Sequence, residues 1–376
     1  MIIITILVFV LVLSILVLIH EFGHFIMAKR SGIGVEEFGF GLPPRIWGKK
    51  VGGTIYSLNW LPFGGFVRLV GEDATDKSRD AKNSFNNKSV GVRSRVVVAG
   101  VFMNLLLGIV LYYVVVIASG FQFNFSLPME HKFKGVNQST EVLVADVSAG
   151  SPAVTAGIKQ GDFITKINGQ DINSIAQLQK TVKGSDGKQL TFTVEDFNHK
   201  NSHNVVAIPK YNGQVKGAAI GVSLGELTVL TYKTLPQKIF SGFIHSYNMI
   251  DLSVGFLGNL IVSSVQHGDI KQLGQNVSGP VGIAVLTSVA IKEGVVSVLN
   301  LMALLSLNLA VINILPVPAL DGGRFFFILV EAITRKKVHP TFEKWVHTVG
   351  FAVLIGLIIL ISYNDVIKLV NKQFPF

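Results

Sequence analysis

The sequence predicts a membrane α-helical protein with four transmembrane helices, a membrane re-entrant β segment between the first two, and an inserted extracytoplasmic α+β domain. Three observations predict this fold class. Hydrophobic residues make up 49% of the 376-residue chain and charged residues only 15%, whereas soluble domains carry about 25% charged residues. Four apolar stretches are long enough to cross a bilayer. A central stretch of soluble composition separates the second from the third.

Charge and cysteine content narrow the function classes. The formal net charge is +10, and we attribute the excess of Lys and Arg to loops on the cytoplasmic side of the membrane. No basic stretch is interleaved with base-stacking aromatic residues, so nucleic acid is not an expected partner. The chain has no cysteine, which excludes disulfides and thiolate ligands and leaves histidine and carboxylate as metal donors.

The distribution of positive charge predicts the membrane topology. Residues 1–28 form the first span, and no Lys or Arg occurs before Lys29. This bias places the N-terminus outside and the loop that follows inside. The other spans are residues 96–120, 295–315 and 345–363. An even number of spans returns the C-terminus to the outside.

The end of the first span carries an H-E-x-x-H motif made of His20, Glu21 and His24. Two histidines four residues apart on a helix share one face and lie about 6 Å apart along its axis, so both can hold one zinc ion. Glu21 is then placed to take a proton from the attacking water. Ionisable residues in a membrane span are costly, so a functional site is favoured over coincidence.

Between the first two spans, residues 34–71 are rich in glycine and aromatic residues. Their apolar content is too high for a solvated loop, and their Gly and Pro residues exclude a long helix. We therefore predict short strands that dip towards the membrane beside the metal site, with Gly64 and Gly65 contacting substrate. An ordinary interfacial hairpin is the alternative.

Two further spans carry polar residues with candidate roles. In the second span, Asn104 follows Gly100 by one turn and is expected either to contact substrate or to hydrogen-bond between helices. The third span ends in the run Asn313 to Gly323, where two prolines break the helix. Asp321 lies on this break and is the preferred third zinc ligand, with a helix cap as the alternative. Asn313 is expected to bind substrate, and His347 is a weaker candidate ligand.

The soluble insert and the segment after it form two further regions. Residues 121–230 alternate between strand patterns and turn signals, and Asn173 is a plausible cap for a helix that ends at Val182. Residues 231–290 include a moderately apolar stretch with several polar residues. If this stretch crossed the membrane, the polar site around Asp321 would lie on the side opposite the H-E-x-x-H motif. We therefore predict an amphipathic helix at the outer interface, followed by a loop at Ser278–Ile283.

These motifs resemble the site-2 protease family of intramembrane zinc metalloproteases, and most closely its bacterial regulator-of-sigma-E type. The resemblance covers nearly the whole chain, residues 1–120 and 291–376 carrying the paired motifs. The run Gly157–Asp162 also resembles the signature of bacterial PDZ domains, which bind extended peptides at a sheet edge. Some members of the family carry two PDZ domains, whereas this chain has room for one.

The resemblance implies a function and a location. It implies zinc held by His20, His24 and Asp321, with Glu21 as general base. The substrates would be single-span membrane proteins, such as anti-sigma factors or remnant signal peptides, cleaved by regulated intramembrane proteolysis in the bacterial cytoplasmic (inner) membrane. The PDZ-like domain would bind or exclude the extracytoplasmic parts of substrates. Two rival functions are a membrane scaffold with structural zinc and a metal transporter. A structural site would need a fourth ligand, and a transporter would need more intramembrane carboxylates.

Overall fold

The structure is a computed structural model, and it describes residues 2–72, 81–127, 129, 131–196, 201–213, 215–267 and 277–371. The chain divides into two compact units. One contains residues Met1–Ala118 and His245–Phe376, and the other contains residues Ser119–Ile244. The insert is therefore somewhat longer than the predicted 121–230.

The first unit is mainly helical. Its helices are α1 (Ile2–Arg30), α2 (Val90–Ala118), α6 (Ser241–His267, which begins in the second unit), α7 (Pro280–Glu293), α8 (Val295–Ile314), α9 (Asp321–Thr334) and α10 (Pro340–Val370). Four of them, α1, α2, α8 and α10, are long and apolar enough to cross a membrane. Among the described residues, four candidate spans match the predicted number, and each predicted span overlaps one of these helices.

Close packing of α1 on α2 depends on a glycine. A side-chain carbon at Gly23 would lie 2.3 Å from the carbonyl oxygen of Ala99 on α2. Only a residue without a side chain allows the two backbones to approach so closely, as is common between membrane helices. This contact brings the H-E-x-x-H face of α1 against α2.

The segment between α1 and α2 forms a bent hairpin of two long strands, β1 (Val35–Val51) and β2 (Thr54–Leu69). Phe38 pairs with both Val67 and Tyr56, so the first half of β1 lies between the two ends of β2. No other described strand joins this sheet. The residues around the bends are exposed and apolar, including Trp47 and Trp60, which are 58% and 67% exposed. The expected short strands are thus parts of two continuous ones.

Two helices differ from the sequence prediction. The predicted loop at Ser278–Ile283 is the start of α7, because Pro280 occupies the first turn, where its missing N–H is not needed. In α6, His245 and Asn248 are fully buried, whereas Phe243 is 54% exposed. An amphipathic helix at the interface would turn its polar residues to water, so this part of the prediction does not match the burial of these residues.

The last helix is attached through a buried carboxylate. Asp365 is the only buried residue of α10 among those the structure describes. One of its oxygens accepts the backbone N–H groups of Gly279 and Gly282, each at 2.8 Å. These are unpaired donors of the first turn of α7, which an anion satisfies well.

The second unit is built on a sheet. Its helices are α3 (Pro152–Ala156), α4 (Ile175–Lys183) and α5 (Leu235–Ile239), and its strands are β3 (Gln122–Phe125), β4 (Asn137–Val147), β5 (Phe163–Ile167), β6 (Gln170–Asp171), β7 (Leu190–Glu195), β8 (Ser202–Ala207), β9 (Lys210–Asn212), β10 (Gly217–Ala219) and β11 (Val222–Thr231). The strand order of the main sheet is β3-β11-β4-β5-β7-β8. Ser174, not Asn173, caps α4 by accepting the N–H of Gln177. Gly221, at a φ of 82°, separates β10 from β11.

Candidate metal centre

The two motif histidines converge at the buried end of α1. His20 and His24 are each 8% exposed, and their Nε2 atoms lie 3.2 Å apart. The helical repeat accounts for this approach, because residues four apart lie one above the other on the same face. Both rings therefore present a nitrogen to one point in space.

Asp321 approaches the same point from the other end of the chain. Its Oδ2 lies 2.9 Å from Nε2 of His20 and 3.2 Å from Nε2 of His24. The turn before Asp321 must pack closely against the start of α9 to place the carboxylate there. The glycines that follow Asp321 allow this close packing. A side-chain carbon at Gly322 would lie 2.0 Å from the carbonyl oxygen of Leu315. The helix break and the glycine pair thus set the carboxylate at the first residue of α9.

The three groups fit a zinc ion. The distances among the two nitrogens and the oxygen are 2.9, 3.2 and 3.2 Å. Tetrahedral ligands about 2.0–2.1 Å from zinc lie about 3.3 Å from one another, which matches this triangle. Oδ2 of Asp321 is buried, yet no donor in the described residues is aligned to hydrogen-bond it. A shared cation would satisfy this atom and the two nitrogens together.

A backbone carbonyl fixes the proton of His24. Its Nδ1 lies 2.8 Å from the carbonyl oxygen of Val96 on α2. A carbonyl can only accept, so Nδ1 carries the proton, and the lone pair of a neutral ring is then on Nε2. Such outer hydrogen bonds are usual around metal-binding histidines. The ring is thus held in the tautomer that can ligate zinc.

Gly100 on α2 leaves the space that the two imidazoles occupy. A side-chain carbon there would lie 2.4 Å from Nε2 of His24 and 2.8 Å from Cε1 of His20. Both rings are buried, and their contacts with Val96 and Asn104 hold them in place. The glycine is therefore part of the geometry of the site.

Replacing Gly100 by alanine is expected to lower zinc affinity more than 10-fold, because the added methyl group displaces both imidazoles. The measurement is competition with a chromogenic chelator on the purified protein. Gly91→Ala is the matched control, since a side-chain carbon at Gly91, near the start of the same helix, would meet nothing within 4 Å. Equal affinity of the two variants would contradict the packing argument.

Glu21 lies between the metal ligands and the hairpin. Its Oε2 accepts the backbone N–H of Val67 on β2 at 3.0 Å. The carboxylate is not one of the three groups that could share a metal ion. It is therefore held at the edge of β2 by this hydrogen bond, one residue after His20 on α1.

A polar cavity of about 590 Å³ reaches this site from one side. Its lining includes Asp321 and several other charged residues. Arg93 and Glu331, two of these residues, form an ion pair at 2.5 Å, and Arg324 pairs with Glu72. The cavity offers water a route to Asp321.

The other sequence candidates lie in different settings. Asn104 is fully buried and contacts His20, which leaves it no surface for a substrate. Asn313 lies in the last turn of α8, half-buried. A side-chain carbon at Gly64 would lie 2.9 Å from Val17, and one at Gly65 would lie 2.8 Å from the carbonyl of Gly39, so both glycines serve close packing.

His347 is not a member of the metal triangle. Its Nδ1 accepts the backbone N–H of Ala319 at 2.9 Å. It therefore supports the turn before Asp321 instead of supplying a ligand.

The backbone groups of Val96 and Val67 were not identified from the sequence, because any residue type can form a backbone hydrogen bond. The position of Gly100, one turn before Asn104, was the available signal for the imidazole pocket.

Comparison with known proteins agrees with this chemistry. The model of peptidase family M50 matches residues 8–357. Protein CPE1693 of Clostridium perfringens, which is named as a zinc metalloprotease, is 36% identical over 95% of this chain and 97% of its own. Zinc metalloprotease RasP of Geobacillus kaustophilus is 28% identical over 96% of this chain and 97% of its own. The PDZ domain of an SdrC-like protein from Listeria monocytogenes is 18% identical, with a TM-score of 0.20, covering 26% of this chain and 93% of that domain.

The fold and the site thus define a membrane-embedded zinc metalloendopeptidase. The chain belongs to peptidase family M50, which is the site-2 protease family, and zinc is its cofactor. Four apolar helices make it an integral membrane protein.

Proposed function

We propose that the protein hydrolyses peptide bonds within the transmembrane segments of single-span membrane proteins. The observation that carries this proposal is the convergence of His20, His24 and Asp321 on one point at the ends of apolar helices. A metal site in that position acts on chains that are themselves in the membrane. Anti-sigma factors and remnant signal peptides are the substrate classes that family resemblance suggests.

The residues around the triangle have separate roles in this proposal. Zinc, when held by His20, His24 and Asp321, supplies a Lewis acid that polarises the scissile carbonyl. Glu21 takes a proton from the attacking water and delivers it to the leaving amine. The hydrogen bond from Val67 keeps the Glu21 carboxylate beside the reacting atoms. The polar cavity at Asp321 admits the water.

We further propose that substrate pairs with the end of β2. Among the described strands, only β1 pairs with residues 65–69; on their other side the N–H of Val67 donates to Glu21 and that of Leu69 to Glu72. An unwound substrate segment that added to this edge would lie beside the metal ligands. Such pairing also exposes carbonyls that a helix would hide in its own hydrogen bonds. Asn313 belongs to the proposed substrate path, and the close packing of Gly64 and Gly65 holds this end of β2 in place.

Disulfide cross-linking tests the pairing of substrate with β2. The chain has no cysteine, so Arg68→Cys introduces a single thiol at the edge. In a Glu21→Gln background we expect Arg68→Cys to cross-link to a single-span substrate that carries one cysteine near its cleavage site. Lys49→Cys is the control, because Lys49 pairs with Tyr56 on the far part of the hairpin. Equal cross-linking at both positions would remove the support for strand addition.

The proposed topology follows the charge distribution. The N- and C-termini and the PDZ-like domain are extracytoplasmic, the active site faces the cytoplasmic side, and the membrane is the bacterial inner membrane. The PDZ-like assignment rests on the Gly157–Asp162 signature, and no described strand pairs with residues 222–227 of β11 on the side opposite β4. This domain binds the extracytoplasmic part of a substrate or excludes substrates that are too large.

Mapping of the cleavage position tests the proposed function. The purified protein in liposomes is incubated with a single-span substrate, and the products are identified by mass spectrometry. We expect cleavage inside the apolar segment, its loss with a zinc chelator, and its recovery when zinc is added back. Cleavage confined to the soluble parts of the substrate would overturn the intramembrane assignment, and chelator-resistant cleavage would overturn the zinc site.

A further inference from the structure

A buried asparagine on α2 contacts the first metal-site histidine. Asn104 is 0% exposed, and the end of its side chain lies 3.3 Å from Nδ1 of His20. The hydroxyl of Ser306 on α8 donates to the backbone carbonyl of Asn104 at 2.7 Å, which holds this turn in place. Asn104 thus lies behind the His20 ring, on the side away from Asp321.

The orientation of the amide decides what Asn104 does. With its nitrogen directed at His20, the amide would donate to Nδ1, and the proton of a neutral His20 would then be on Nε2, the atom that faces His24 and Asp321. Exchanging the nearly identical oxygen and nitrogen gives His20 the tautomer that can ligate, because the amide oxygen then accepts the Nδ1–H.

We propose that Asn104 is a positioning residue of the zinc site, and that its side-chain oxygen accepts the Nδ1–H of His20. This inference rests on the proposed zinc ligands. The bond leaves the Nε2 lone pair of His20 directed at the metal. Val96, on the same helix, does the same for His24 through its carbonyl oxygen. Helix α2 therefore sets the tautomers of both motif histidines, while Gly100 between them provides the space for their rings.

Zinc affinity of the purified full-length protein tests this role by competition with a chelator. Asn104→Leu removes the acceptor while keeping a similar volume, and we expect a 10- to 100-fold loss of affinity, the usual effect of losing such an outer partner. Asn104→Asp keeps an acceptor oxygen and is expected to bind zinc as tightly as the wild type or more tightly. Asn308→Leu is the control, because Asn308 on α8 accepts the hydroxyl of Ser253, and no hydrogen bond joins it to a histidine in the described part of the chain.

The outcomes distinguish a positioning role for Asn104, a packing role for Asn104, and the absence of a zinc site. If Asn104→Leu binds zinc as tightly as the wild type, the inference is wrong. If Asn104→Asp loses as much affinity as Asn104→Leu, Asn104 serves packing only, and the inference is also wrong. Should the leucine variant fail to fold, the aspartate variant and the absorption spectrum of its cobalt-substituted form still decide. Failure of the wild type to bind zinc would instead overturn the proposed zinc site itself.

Discussion

Replacement of Glu21 by glutamine is expected to reduce cleavage of a single-span substrate by about 10²- to 10⁴-fold, the usual contribution of a general base. The amide keeps an oxygen that can accept the N–H of Val67, so the hairpin retains its contact with α1. It cannot take a proton from water at neutral pH, and proton transfer to the leaving amine is lost with it.

Zinc content separates this effect from loss of the metal. Glu21 lies outside the group of residues that could share an ion, so the variant is expected to hold zinc as the wild type does. Glu293→Gln, an exposed residue at the end of α7, is the matched control and should cleave normally. Undiminished cleavage by Glu21→Gln would end the assignment of Glu21 as the base.

Asp321→Asn is expected to abolish zinc binding at micromolar free zinc and with it all cleavage. The carboxylate is the only anionic group in the triangle, and an amide oxygen is a much weaker donor to zinc. The loss of affinity should exceed the 10- to 100-fold expected for an outer partner. Metal content after dialysis, determined by mass spectrometry, is the direct measurement.

A control variant and a measurement of stability accompany the test of Asp321→Asn. Asp186→Asn changes an exposed aspartate of the second unit and should leave zinc content unchanged. Thermal unfolding of Asp321→Asn without metal should match that of the metal-free wild type, since the turn before α9 is held by Gly322 and by His347, not by the carboxylate. A variant that retains stoichiometric zinc would show that the triangle is not the metal site.

The parts of this fold that hydropathy and local motifs encode could be predicted from the sequence. Burial of long apolar stretches in lipid dominates the free energy of the spans. The number and approximate positions of the candidate spans could therefore be predicted from hydropathy. The H-E-x-x-H motif is local, and one helical turn brings its histidines together. Asp321 could be chosen because a carboxylate on a broken intramembrane helix needs a polar partner.

Other features depend on long-range contacts that residue type does not reveal. Gly279 and Pro280 indicate a loop, yet Asp365 supplies an acceptor for the first turn of α7 from the far end of the chain. His245 and Asn248 look like the polar face of an interfacial helix, yet both are buried in the structure. Residue type could not decide between the two roles expected for Asn104, because its contact with His20 joins two helices.

The two halves of the metal triangle come from opposite ends of the polypeptide. His20 and His24 belong to the first helix, and Asp321 lies after α8. During synthesis, a ribosome-bound chain that has not reached residue 321 holds only a pair of histidines. If Asp321 is the third ligand, such a nascent chain cannot hydrolyse its neighbours in the translocon. Proteolytic competence then arises only after the chain has been synthesised and inserted beyond residue 321.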